Sequence, residues 1–313
     1  MNFTLKILGT ASALPTSSRY PSAQVLDVRG RLFLLDCGEG VQMQMRRMKI
    51  SPLKIEVICI SHIHGDHVFG FFGLVSTMGM LGRTADLKIF APKSFAPILK
   101  FFLSYYGEGL NFKITHTPIV EDSPEIIFET RTLELLTFPL NHRIETFGFI
   151  LREKTPMLNI HKHSVVKHNL TLAEIGKLKR GEDLIRNEGT PDEELIPNKE
   201  VAYLPFKPRS YAYCSDTAPF ANLPLWIEGV DLLYHEATFP AEFEDVAKKT
   251  HHSTTIQAAK CAKKAGVKKL IVGHYSSRFR DVAFYLDEIN TIFPNAELAK
   301  EGMVVEIELE KFE

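Results

Sequence analysis

"SHIHGDHVFG", residues 61–70, decides the fold of this chain. His62, His64, Asp66 and His67 form the pattern H-x-H-x-D-H, directly after the apolar run "IEVICI", residues 55–60. Protonated imidazoles this close would repel one another. A shared metal ion removes the conflict, because neutral imidazole and carboxylate are ordinary ligands of transition metals. A strand that ends in metal ligands also points to an architecture, since α/β sheets carry their sites at the C-terminal ends of strands.

The same arrangement recurs along the chain. "LLTFPLNH" (135–142) ends in His142, "YAYCSD" (211–216) in Asp216 and "KLIVGH" (269–274) in His274. With Asp66 and His67, the set comprises five imidazoles and two carboxylates: His62, His64, Asp66, His67, His142, Asp216 and His274. One transition metal rarely takes so many protein ligands. Two zinc ions sharing a bridging carboxylate would suit them.

Composition sets the frame. The chain has 313 residues, long for a single domain but within the range of one-domain α/β proteins. With 45% hydrophobic and 24% charged residues it reads as an ordinary soluble globular protein. A net charge of −1 gives no global sign of nucleic-acid binding, so a polyanion partner needs a local basic patch. Cys37, Cys59, Cys214 and Cys261 form no C-x-x-C and sit in or beside apolar runs, as reduced thiols of a cytoplasmic protein do. The opening "MNFTLKILGT" reads as a strand rather than a leader, and no window approaches a membrane span.

Short apolar runs alternate with helical patterns. "FTLKILG", "QVLDV", "RLFLLDCG" and "IEVICISH" predict four early strands. "FFGLVSTMGMLG" predicts a helix, "LKIFAP" a strand, and "SFAPILKFFLSYY" a helix capped by Ser94. "LELLTFPLNH" and "TFGFILRE" read as strands. Residues 154–200 are polar, with Pro156, Pro191, Pro197 and little alternation, and read as a loop-like insertion. Within it "TLAEIGKLKRG" predicts one short helix capped by Thr171. Strands and helices then resume through "SYAYCSDTAP", "DLLYHEATF", "STTIQAAKCAKKAG", "KKLIVGHYSS", "VAFYLDEINTIF" and "MVVEIELE".

The metal pattern resembles the metallo-β-lactamase superfamily. The flanking residues narrow the likeness. "ILGTASALPTSSRYPS" (7–22), "LLDCGEGVQMQM" (34–45), "SHIHGDHVFGFFGLVSTMGMLGR" (61–83), "SDTAP" (215–219), "HEATF" (235–239), "HSTT" (252–255) and "GHYSSRF" (273–279) resemble, in order and spacing, the motifs of the ribonuclease Z family of tRNA 3′-endonucleases. The resemblance implies one α/β domain over residues 1–313. Its fold is the metallo-β-lactamase fold, a four-layer αββα sandwich, and residues 154–200 form an inserted tRNA-binding arm.

Roles follow by position. His62, His64 and His142 would hold one zinc, Asp66, His67 and His274 the other, and Asp216 would bridge, giving two zinc ions per subunit. Two such ions roughly 3.5–4 Å apart can clamp a phosphodiester and produce hydroxide near neutral pH. Asp66 would also orient the attacking hydroxide. His252 matches the proton donor to the leaving 3′-oxygen, which leaves a 3′-hydroxyl on the tRNA. Asp36 and Glu236 would accept the outer N–H groups of metal-binding imidazoles. Arg278 would grip phosphate. In the arm Lys177, Lys179 and Arg180, with Lys162 and Lys167 nearby, would contact tRNA phosphates. The expected partners are precursor tRNA and a second copy of the chain, with no membrane.

Two features depart from the family pattern. The arm lacks the expected glycine-proline pattern, and "SDT" stands where glycine-aspartate-threonine is usual. A small-molecule hydrolase of the same superfamily, acting on a phosphodiester, thioester or lactone, is the alternative. It would have no use for the arm.

Overall fold

The structure, a computed structural model, describes residues 2–120 and 122–312. The chain divides into two compact units.

The larger unit holds two seven-stranded sheets. The first has the order Val304–Glu306, Phe3–Gly9, Ala23–Val28, Arg31–Leu35, Ile55–Cys59, Leu87–Pro92, Ile114–Ile119. The second has the order Ala296–Leu298, Lys269–Gly273, Leu232–Glu236, Ser210–Cys214, Phe147–Glu153, Leu133–Pro139, Glu125–Glu129. The ligand-bearing stretches follow the strands Ile55–Cys59, Leu133–Pro139, Ser210–Cys214 and Lys269–Gly273, as the sequence predicts.

Both faces of the central strands are buried, so these strands read as continuous apolar runs rather than alternating ones. In Arg31–Leu35, Leu32 and Leu34 join a core with Val41, Met45, Phe71, Leu74, Phe95 and Leu99, which come from the helices Val41–Arg47, Gly70–Met80 and Phe95–Tyr106. Phe33 points the other way, to Phe128 of the second sheet at 6.1 Å. The outer face of the second sheet uses the same alternation. Ala212, Leu233 and Leu270 pack with Leu223, Ala258, Ala262 and Ile289 of the helices Leu223–Trp226, Thr255–Ala265 and Phe284–Asn290. The inner faces meet through Phe33, Phe90 and Phe128, and through a hydrogen bond from the Tyr211 hydroxyl to Gln24. The result is helix, sheet, sheet, helix, the αββα sandwich.

Local chemistry fixes the connections. Ala23–Val28 and Arg31–Leu35 form a hairpin in which Val28 pairs with Arg31. The two-residue turn has Arg29 at φ 55° and Gly30 at φ 83°, the doubly left-handed turn whose twist matches the strands. The Gly30 N–H donates to Asp27, which closes it. Ser94 differs from expectation: it precedes its helix in helical geometry, and its hydroxyl makes no cap bond.

The second unit comprises residues 130–133, 153–209 and 308–313. It is not the loop its polarity suggested. It contains the helices Lys162–Lys167, Leu172–Lys179 and Asn198–Val201. It also pairs Asn159–Ile160 with Ala202–Tyr203, and Leu184–Arg186 with Glu194–Ile196. Leu170, Leu178, Leu184, Ile196 and Val201 form a small core, too widely spaced in sequence to give a period. Thr171 caps its helix with a complete capping box to Glu174. At the base, Glu153 and Arg209 are buried and joined by two guanidinium–carboxylate bonds of 3.0 Å. The Glu153 N–H also donates to the Arg209 carbonyl at 2.9 Å, so the segment leaves and returns at one point.

Candidate metal centre and catalytic cleft

The strand ends bring six candidate ligand atoms into two groups of three around the Asp216 carboxylate. In the first, His64 Nδ1 lies 3.0 Å from His62 Nε2 and 3.4 Å from His142 Nε2. Asp216 Oδ2 lies 3.5 Å from His62 Nε2 and 3.8 Å from His142 Nε2. In the second, His67 Nε2 lies 3.3 Å from His274 Nε2 and 3.4 Å from Asp66 Oδ2. Asp216 Oδ1 faces this group, 3.3 Å from His67 and 3.1 Å from His274. A tetrahedral shell with bonds of about 2.0–2.1 Å has ligand-to-ligand edges of about 3.3–3.4 Å. The spacings bracket that value.

The protonation pattern gives an independent test of fit. Four rings engage their other nitrogen with the protein: His62 Nδ1 with Ser61 Oγ, His67 Nδ1 with Asp36, His142 Nδ1 with the His251 carbonyl, and His274 Nδ1 with Thr238 Oγ1. Donating there leaves a lone pair on each inward nitrogen. Lone pairs converging at 3.0–3.4 Å repel unless a cation lies among them. Burial lowers the pKa of His62, His64 and His142, which favours the neutral, ligating form. His67 is the exception. Burial opposes its charge, but Asp216, Asp66 and Asp36 surround it and raise its pKa. A cation there would replace a proton. The donor set suits divalent metal.

Two buried carboxylates stand behind the site: Asp36 holds the His67 ring directly, whereas Glu236, expected on a metal-site imidazole, holds His252 and reaches His274 only through Thr238. Asp36, at the end of Arg31–Leu35, accepts from the Ser61 N–H and hydroxyl, from His67 Nδ1 and from the Tyr213 hydroxyl, at 2.7–2.8 Å. Glu236, at the end of Leu232–Glu236, accepts from the N–H groups of Thr217, Thr238 and Ser253 and from His252 Nδ1. His252 also falls within ligand range of Asp216 and His274. Its Nδ1 is held by Glu236 at 2.9 Å, which sets it apart from the two metal groups. Burial works against a charge on His252, yet Glu236, with Asp216 and Asp66 behind it, pushes its pKa up to about 9.

A cleft of about 590 Å³ opens over this centre, and His64, Asp66, His142, Asp216 and His252 reach it. Arg278 is not among the residues that line it; its guanidinium stacks over Phe239, 5.7 Å from the ring centre. Lys177, Lys179 and Arg180 lie in the second unit, with Lys177 and Arg180 exposed, and Arg180 pairs with Glu182 at 2.6 Å.

Comparison with known proteins finds relatives over nearly the whole chain. The chain is 41% identical to "Ribonuclease Z" of Bacteroides thetaiotaomicron, over 97% of this chain and 95% of that protein. It is 42% identical to "Ribonuclease Z" of Parabacteroides distasonis, over 96% and 98%.

The chain belongs to the ribonuclease Z family.

Among solved structures, the short form of human tRNase Z superposes with a TM-score of 0.71 at 23% identity, covering 97% of this chain and 99% of that one. The metallo-β-lactamase fold protein YhfI of Bacillus subtilis gives 0.67 at 17%, covering 98% and 100%. Both share the metallo-β-lactamase fold. A family model described as anti-Pycsar protein Apyc1 matches residues 3–144.

In this ribonuclease Z family member the structure adds residues that the sequence did not mark. The Ala13 N–H, on a residue at φ 57°, donates to Asp66 Oδ2 at 2.7 Å. Thr238 links Glu236 at 2.7 Å to His274 at 2.9 Å. Ser61 links His62 to Asp36. A peptide N–H carries no sequence signature, so Ala13 had none. Thr238 had one: it sits two residues after Glu236, where an extended chain returns to the same side.

Proposed function

We propose that the chain removes the 3′ trailer from precursor tRNA as a ribonuclease Z with two zinc ions per subunit. One observation carries this reading: the two oxygens of Asp216 face two separate groups of ligands. His62, His64 and His142 would hold one ion, Asp66, His67 and His274 the other, and Asp216 both. When bound, the two ions supply Lewis acidity toward the phosphoryl oxygens and lower the pKa of water in the site to near neutrality.

The chain's own groups do the rest. Asp66 orients the attacking water with its other oxygen, Oδ1, while the Ala13 N–H fixes Oδ2 on the ligand side. The attacking water gives up a proton to solvent, its oxygen bonds to phosphorus, and the bond to the 3′-oxygen breaks. His252, protonated beside Glu236, gives its proton to that oxygen, and the tRNA leaves with a 3′-hydroxyl. Asp36 and Glu236 keep the rings from turning. The arm, residues 154–200, contributes affinity through Lys177, Lys179 and Arg180, and Arg278 serves a phosphate farther along.

The arm also favours tRNA over a small substrate. The anti-Pycsar family match ends at residue 144, whereas the ribonuclease Z relatives run through 97% of the chain, arm included. Among the described residues no helix is long and apolar enough to cross a membrane. A cytoplasmic homodimer belongs to the same reading. The exposed Met80, Phe101, Tyr105 and Tyr106 support self-association, which light scattering checks.

The test is cleavage of a defined 3′-extended tRNA transcript, with the product ends mapped. One cut near the 3′ end, leaving a 3′-hydroxyl on the tRNA and a 5′-phosphate on the trailer, is expected. Hydrolysis of small phosphodiesters with no cut in the transcript would overturn the tRNA reading.

A further inference from the structure

The cleft contains a side chain that the proposed chemistry does not use. Phe69 lines it and is 62% exposed. Its neighbours Phe71 and Phe72, in the same run "VFGFFG", pack into or against the core of the first sheet. Phe69 instead turns outward over a polar centre, among His64, Asp66, Asp216 and His252. An apolar ring left to water beside charged groups gains nothing for stability.

The ring is seated by a glycine. A Cβ added to Gly65 would come within 2.3–2.8 Å of three ring atoms of Phe69, Cε2, Cζ and Cδ2. Glycine at 65 therefore lets the ring lie against the backbone between His64 and Asp66, two of the metal-site residues. The left-handed region is not the reason, since Gly65 is not among the residues of positive φ. No other aromatic ring among the described residues stacks on Phe69. The ring is thus held from one side and open on another. Arg143, which lines the same cleft, is the one lysine or arginine there, and its Nη2 donates to the Lys249 carbonyl.

A flat apolar surface beside a phosphate-cleaving centre, with a guanidinium in the same cleft, matches a nucleotide. The base covers the ring and a phosphate meets the cation. We infer that Phe69 is a stacking platform for the nucleobase of a nucleotide flanking the scissile phosphate, and that Arg143 binds a neighbouring phosphate. This rests on the nuclease reading and deepens it: the enzyme grips an unpaired, unstacked base at the cut, not only the tRNA body. Stacking tolerates any base, so the platform positions the strand without reading its sequence.

The experiment has two parts. First, 2-aminopurine is placed at either nucleotide flanking the cut in a 3′-extended tRNA, and its fluorescence is followed on binding to the metal-loaded protein, with cleavage blocked by a methylphosphonate linkage at the scissile position. Wild-type protein should change the signal at one of the two positions. Phe69→Ala should abolish the change, and Phe69→Tyr should restore it. Second, steady-state cleavage is measured on the normal precursor and on one with an abasic nucleotide at the responding position. Phe69→Ala should raise KM roughly 10- to 100-fold, the range of one base–aromatic stack. Base removal and ring removal should not add, because either deletes the same stack. Arg143→Ala should raise KM and flatten its salt dependence.

Additive losses, or a fluorescence change that survives Phe69→Ala, overturn the platform. The fluorescence arm does not depend on turnover. A protein that stacks the probe but never cuts the precursor keeps the platform and loses the nuclease reading.

Discussion

Burial alone would discharge His252; the Glu236 carboxylate, 2.9 Å from its Nδ1, keeps the proton on and pushes its pKa up to about 9. A raised pKa means the proton is present below that value and lost above it. As general acid, His252 should sustain kcat through neutral pH, with the rate falling as pH rises through about 9. Glu236→Gln removes the supporting charge, so the alkaline limb should move down toward ~6.5, the value of an unperturbed histidine. A pH profile of kcat in which that limb stays in place contradicts the pairing. His252→Ala should retain both metals and lose roughly 10²–10⁴ in rate, and much less on a substrate with an activated leaving group. Glu236 was expected on a metal-site imidazole and holds His252 instead, but its place at the site, like the places of Asp36 and His252, was legible in sequence because each lies within a motif. Ala13 and Phe69 were not. One acts through a peptide N–H, and the other is a common core residue until the fold shows it facing the cleft.

Among the elements, the long buried strands and the helices Gly70–Met80 and Thr255–Ala265 could be read from apolar runs and periodicity. The strands Ile114–Ile119 and Glu125–Glu129 could not. Each closes one side of its sheet, is largely exposed, and so carries little apolar pattern, while Pro118 marks an edge position. The arm was misread for a related reason: its core is a handful of side chains, and its stability leans on polar locks. Arg209 and Glu153 are the principal lock, buried and doubly bonded. Arg209→Ala leaves a buried carboxylate without its guanidinium and should cost roughly 3–5 kcal/mol. The double variant Arg209→Met with Glu153→Leu should recover most of that loss, because two apolar side chains strand no charge. Urea unfolding of the three proteins measures both. Thr171→Ala should cost about 1 kcal/mol through its cap alone.

At the scale of the molecule, the candidate metal ligands fall in one compact unit and Lys177, Lys179 and Arg180 in the other. Binding and chemistry should therefore separate. Replacing residues 155–207 with a flexible linker keeps Glu153 and Arg209, whose backbones already hydrogen-bond. The product should load metal and hydrolyse an aryl phosphodiester, yet bind precursor tRNA weakly. Substituting only Lys177, Lys179 and Arg180 should weaken binding less and lower the salt slope by roughly 0.7–0.9 for each phosphate no longer neutralised. Unchanged tRNA binding by either folded, metal-loaded variant removes the arm from recognition. The sandwich itself was legible in sequence through the resemblance of motifs spread along the chain to a known family; the strand ends alone pointed only to an α/β sheet with a site at its edge. The shape of the arm was not legible, since nothing in its spacing announces its core. What joins the two ligand groups at the site is Asp216, one oxygen toward each. Metal content per chain, measured by plasma emission on dialysed protein, tests that claim most directly. Wild type should hold two equivalents, His64→Ala should lose chiefly one, and Asp216→Ala should lose both. An Asp216→Ala protein that still holds two would contradict the bridged centre on which the account rests.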